Sequence, residues 1–216
     1  TDAGGSSDGG TAMAGLSLKR FTGNWELGAA AHLGRGSFDN TRTLGAATAS
    51  GTQGQWVYGA QLRAGYAIDH GAWFVKPRLD LGVTRFAASS YTETGTGGIP
   101  LSVDLQDETL FYLRPAVEFG GVFDMAGGGQ IRPNVTLMMT QFLGDTSFGA
   151  TARLAGAPAS VAPFDWGSDF DRTQYDLAAG ITIVTDGGSM FDLSGFGHMS
   201  DNETDFGGRV RWVIPF

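Results

Sequence analysis

The chain has 216 residues, of which 35 are glycine, 12% are aromatic and only 17% are charged, with no cysteine. That length holds one domain, and the lack of cysteine excludes disulfide frameworks and Cys-ligated metal centres. A net charge of −8 excludes a nucleic-acid binder, which needs a basic face to neutralise phosphates.

Glycine at more than twice its usual share of about 7%, with few charges and many aromatics, fits a tightly turned sheet that faces something other than water. No apolar run approaches the roughly 18 residues of a transmembrane helix. Strands that cross lipid hide their apolar residues by alternation, because successive side chains point to opposite faces.

In chain order, residues 1–10 read as an extracellular loop or a truncated N-terminal segment, and 11–216 as a barrel. The first strand, Thr11–Lys19, carries a weak alternation over Ala14–Leu18, and Trp25–Leu33 is a second weak instance. A long polar connection is expected over Ser37–Gly54. The next strand is clear: Trp56, Tyr58, Ala60, Leu62, Ala64, Tyr66 and Ile68 alternate with Gln55, Gln61, Arg63 and Asp69.

Trp73, Val75, Leu79, Leu81 and Val83 oppose Lys76, Arg78 and Asp80. Phe111, Leu113, Val117 and Phe119 oppose Tyr112, Arg114 and Glu118. Ile131, Val135, Leu137 and Met139 oppose Arg132, and Tyr175, Leu177, Ile181 and Ile183 oppose Asp176. After a weaker strand, Met190–His198, the final stretch sets Phe206, Val210, Trp212, Ile214 and Phe216 against Arg209 and Arg211.

Nine strands result, each with one apolar face. A soluble sandwich also alternates, but two features favour an all-β, transmembrane antiparallel barrel. Full charges stand mid-strand on the polar face, and aromatics stand at the ends of the apolar face, as interfacial girdles do. Connections run short, long, short, long from Phe21–Asn24 onward, and only the last, at Ser200–Glu203, breaks the rhythm. Short turns belong on the periplasmic side and long loops outside. Nine strands ending on the periplasmic side would start outside, so an even-numbered barrel requires more strands than these.

The inward charges Glu26, Arg63, Lys76, Arg78, Asp80, Arg114, Glu118, Arg132, Asp176, Arg209 and Arg211 are expected to line a polar pore, or to form cross-strand ion pairs that hold its shape. No catalytic residue, cofactor or metal is expected. Ser194 and His198 lie on one strand face about 13 Å apart at a rise of about 3.3 Å per residue, too far for a nucleophile and its base. The acidic outer residues Asp165, Asp169, Asp171, Asp201 and Glu203 lack calcium-loop spacing.

The segment Phe206–Phe216, with its alternating Phe206, Val210, Trp212, Ile214 and terminal Phe216, resembles the C-terminal signal by which the barrel-assembly machinery recognises outer-membrane proteins. Pro215 is a departure from that pattern. More widely, Gly23–Leu27, Gly34–Asp39, Tyr58–Tyr66, Val75–Leu79, Tyr91–Gly95, Ile131–Val135 and Leu154–Pro158 resemble the autotransporter β-domain, the translocator of type V secretion.

The resemblance implies a twelve-stranded barrel in the outer membrane of a Gram-negative bacterium, matched here over its last nine strands. Its partners would be outer-membrane lipid, the assembly machinery, and its own N-terminal passenger and linker helix. The implied task is to anchor the passenger and help export it. The alternative is a passenger-free porin or surface-adhesin barrel.

Overall fold

A computed structural model describes residues 3–158 and 160–215. Nine long strands form one curled sheet: β1 (Ala3–Thr22), β2 (Trp25–Leu44), β3 (Ala47–Tyr66), β4 (Trp73–Ala88), β5 (Glu108–Gly121), β6 (Gln130–Leu143), β7 (Thr173–Val184), β8 (Met190–Met199) and β9 (Thr204–Val213). Each pairs antiparallel with its sequence neighbours, in the order β1 to β9. Among the described residues β1 and β9 are not paired with each other, so each leaves one edge free.

The apolar alternation survives as a continuous exposed band. In register across β2, β3 and β4 stand Ala29, Leu62 and Leu81. Across β5, β6, β7 and β8 stand Val117, Leu137, Leu177 and Gly197. Leu62 is 62% exposed and Leu137 48%, which in water would squander the hydrophobic effect over far more area than a soluble monomer leaves bare. Aromatics mark both ends of the band: Trp25 packs edge-on to Tyr66 and His70 stacks on Trp73 at the short-turn end, while Trp56 and Tyr58 stand near the other.

The strands at the start of the chain are longer than expected. Ala3–Gly10, expected as a loop or truncated segment, is ladder paired with Ser37–Leu44. Most of the connection expected over Ser37–Gly54 is likewise ladder, closed by the tight turn at Gly45–Ala46, where Gly45 has φ 58°. These strands of 20 residues are about twice the roughly 10 residues that span a bilayer. Beyond Trp56 the outward face itself turns polar, with Asp39, Thr41, Thr43, Thr48, Ser50 and Thr52, so the apolar face that announces a membrane strand is gone.

The long connections also carry structure. Phe164–Asp169, Ser147–Leu154, Leu101–Leu105 and Tyr91–Thr92 form a second antiparallel sheet. Its alternation places Ala150, Ala152 and Val103 in the molecule's small buried apolar cluster, with Tyr91, Leu101 and Leu105 against it. Phe148 touches Phe86 of β4 and Phe170, and Phe170 packs edge-on to Phe142 of β6. These loops therefore fold back onto the sheet's rim. A clasp adds to this: Arg42 of β2 donates twice to Glu93, which also accepts the Leu101 N–H.

Candidate functional site

The polar face is the concave one. Lys76 of β4 reaches Glu26 of β2 across β3, at 3.5 Å. The Tyr112 hydroxyl of β5 donates to Gln61 of β3 across β4, at 3.1 Å. Arg78 of β4 meets the Met138 sulfur of β6 across β5. Strands two apart lie about 10 Å from each other, a gap that side chains close only where the sheet bends toward them.

Two tiers of charge run across this wall. In the lower, Lys19 contacts Glu26 at 2.9 Å, Glu26 meets Lys76, and Lys76 contacts Glu118 at 2.8 Å, linking β1, β2, β4 and β5. In the upper, Arg63 holds Asp80 through Nε and Nη2, both at 2.8 Å, and Arg78 approaches the same carboxylate at 3.8 Å. Asp80 is fully buried and Glu26 nearly so. A buried carboxylate is tolerable only when paired and hydrogen-bonded, and each of these has cations on two sides. Arg114 continues the tier by donating to the buried Thr140 and lying over the Tyr112 ring.

Glycine makes room for this wall. Tyr112 lies flat over Gly82, where any Cβ would collide with its ring, and Phe196 covers Gly207 in the same way. Part of the high glycine content therefore serves side-chain packing rather than turns.

Of the residues expected to line the interior, Glu26, Arg63, Lys76, Arg78, Asp80, Arg114 and Glu118 come together in these tiers. Arg132 contacts Gln130 near the Asp124–Gln130 turn. Asp176 is bonded to His198 at 2.8 Å. Arg209 approaches Asp192 at 3.8 Å, and Arg211 opposes Asp192 in register. His198 thus stands in register between Asp176 of β7, to which it is bonded, and Asp205 of β9, and Ser194 opposes Arg209.

Lys19, Gln61, Thr140 and Asp192 belong to the wall and were not anticipated. Lys19 was the most accessible of them, because the two-residue turn at Gly23–Asn24 sets it diagonally from Glu26. Among the acidic outer residues, Asp165 accepts the Thr151 hydroxyl and Asp171 accepts the backbone and side-chain N–H groups of Asn202. The Ser200 hydroxyl and these donors hold the Asp171 carboxyl below its usual range.

In the terminal segment Phe206, Val210, Trp212 and Ile214 are all exposed on the outer side, and β9 ends at Val213. Phe216, expected to complete that set, lies outside the described residues.

Comparison with known proteins places residues 1–195 in a match to the family described as Autotransporter beta-domain. Among solved structures, the crystal structure of the β-domain of the Bordetella autotransporter BrkA is similar at 16% identity, with 96% of this chain and 88% of that chain covered and a TM-score of 0.28. No curated protein matches.

Proposed function

The chain belongs to the autotransporter β-domain family, a family of outer-membrane translocator barrels of Gram-negative bacteria, and we propose that it anchors an N-terminal passenger and helps carry it to the cell surface. The observation that carries this reading is the division of the sheet into an exposed apolar outer band and a concave wall of ion pairs. Such a wall is charged, and Glu26, Arg63, Lys76, Asp80 and Glu118 in it are already paired. A threaded linker helix or extended polypeptide can pass or rest there without meeting a dry, adhesive surface.

Glu26, Arg63, Lys76, Arg78, Asp80, Arg114, Glu118, Arg132, Asp176, Arg209 and Arg211 are the pore-lining charges of this reading. The role is passive, with no catalytic step. Unpaired edges cost several kcal/mol per orphaned group in hydrocarbon. The free edges of β1 and β9 are therefore covered by further strands, three in a twelve-stranded barrel. Phe206, Val210, Trp212, Ile214 and Phe216 form the signal read by the barrel-assembly machinery, so deleting Phe216 lowers the amount of folded barrel in the membrane.

The test is display. An epitope fused ahead of the β-domain should be cleaved by protease added to intact cells while the barrel resists. An epitope protected until the outer membrane is broken, beside a folded barrel, overturns the export reading and favours the passenger-free porin.

A further inference from the structure

The outward face carries a charge pattern at odds with the composition. The chain has 22 acidic and 14 basic residues. Yet between the Trp25 level and the Trp56 level, the charged side chains that the strands carry on the apolar face are three arginines, and the carboxylate beside them, Asp107, comes from the connection ahead of β5 and is paired with Arg85. Arg20 opposes Leu27, Arg35 opposes Trp56, and Arg85 opposes Tyr58.

Arg20 stands at the short-turn end. Arg35 on β2 and Arg85 on β4 stand together at the other, flanking Trp56 and Tyr58 of β3. Register puts their Cα atoms roughly 12 Å apart, from a strand spacing of about 4.8 Å and a rise of about 3.3 Å per residue.

Both arginines are exposed. The Arg35 guanidinium lies over the Trp56 ring at 5.2 Å from its centre. Among the described residues Arg35 has no carboxylate partner, and Arg85 is held by Asp107 through Nη2 at 2.7 Å. Trp56 and Tyr58 are about two-fifths exposed, on the line where an aromatic girdle meets headgroups.

A cation at this depth borders hydrocarbon, where an anion beside it is worth more than in bulk water. The planar fork of arginine matches phosphate bidentately. In a protein of net charge −8, strands that set arginines and no carboxylate on this stretch of the face, with Asp107 meeting only Arg85, favour an anionic neighbour drawn from the lipid.

We propose that Arg35 and Arg85, with Trp56 and Tyr58 between them, bind the phosphorylated headgroup of an outer-leaflet lipid. The site rests on the membrane reading above, because only a bilayer presents headgroups at that height on the strand.

The test uses the barrel closed by its further strands, folded in uncharged detergent micelles and titrated with phosphorylated lipid A, its dephosphorylated form, or inorganic phosphate, with bound lipid counted by native mass spectrometry. The intact protein should retain the phosphorylated lipid. The double variant Arg35→Gln, Arg85→Gln should bind it about ten-fold more weakly, the step that loss of one charge-assisted contact produces. Arg20→Gln, at the opposite end, should leave retention unchanged.

Equal retention of the dephosphorylated lipid, or an unaffected double variant, overturns the site. Displacement of the lipid by millimolar inorganic phosphate assigns the arginines to free anions and overturns it too. Failure of that closed barrel to fold in micelles sinks the membrane reading itself, whereas a folded barrel without phosphate dependence sinks the site alone.

Discussion

Arg63 on β3 and Asp80 on β4 face each other in register and join through two parallel hydrogen bonds of 2.8 Å, with the Asp80 carboxylate fully buried. Seventeen residues and one turn separate them in the chain, and the hairpin register alone brings them together. Arg78, two residues from Asp80, shares the same carboxylate.

Removing the carboxylate leaves two cations facing each other. Asp80→Asn should destabilise the folded barrel by about 3 kcal/mol, the usual cost of breaking a buried pair from one side. The double variant Asp80→Asn, Arg63→Gln should recover part of that loss. Urea unfolding of the lipid-reconstituted protein measures both, and a neutral single variant would remove Asp80 from its structural role.

The two faces should respond in opposite ways to the same charge. Leu137→Arg, in the middle of the exposed band, should cost about 2–4 kcal/mol, as arginine does at a bilayer midplane. Thr136→Arg, one residue away and opposite Glu118, should cost less than 1 kcal/mol. Comparable losses at both positions would contradict the assignment of faces.

The clasp between β2 and the first long connection is acid-labile. Hydrogen bonds from Arg42 hold the Glu93 carboxyl below its ordinary range, outweighing the burial that pushes it up, and the Leu101 N–H adds to the effect. A carboxyl with a lowered folded pKa stabilises the fold above its unfolded value of about 4.3. That contribution disappears as pH falls through the folded value. Proteolytic nicking at Gly97–Gly98 should therefore be slow at neutral pH and rise below about pH 4, and Glu93→Gln should be nicked readily at pH 7. A nicking rate independent of pH would show that Arg42–Glu93 does not hold the loop.

Phe148 ties the second sheet to the rim through Phe86 and Phe170. It is half-buried, so Phe148→Ala should cost the loops about 1–2 kcal/mol, below the roughly 3–5 of a fully buried phenylalanine. Hydrogen exchange should quicken in Leu101–Leu105 and Ser147–Leu154 while β5 and β6 stay protected. Equal acceleration in the long strands would mean that the loops and the barrel wall open as one unit.

Alternation over 8 to 12 residues was enough to identify the strands, their antiparallel order, the lipid-side band from Trp56 to Tyr66, and the inward position of Arg63, Asp80 and Arg114. A period of two is a local property, and an apolar face opposite charge reports it directly. The projecting hairpin of β2 and β3 escaped because its outward face is polar and the cover on its inward face, as at Ala49, comes from a distant connection. Thr, Ser and Gly there carry no contrast, and a ladder held by backbone hydrogen bonds reads the same as a loop. The second sheet escaped for another reason: its strands pair across connections more than 40 residues apart, Leu101–Leu105 with Ser147–Leu154. Partners within the wall were equally a matter of register and curvature. Sequence placed Glu26, Lys76 and Asp176 on one face, but only the bending of the sheet lets Lys76 reach Glu26 over β3, and only the β7–β8 register brings His198 against Asp176 as well as against its chain neighbour Asp205.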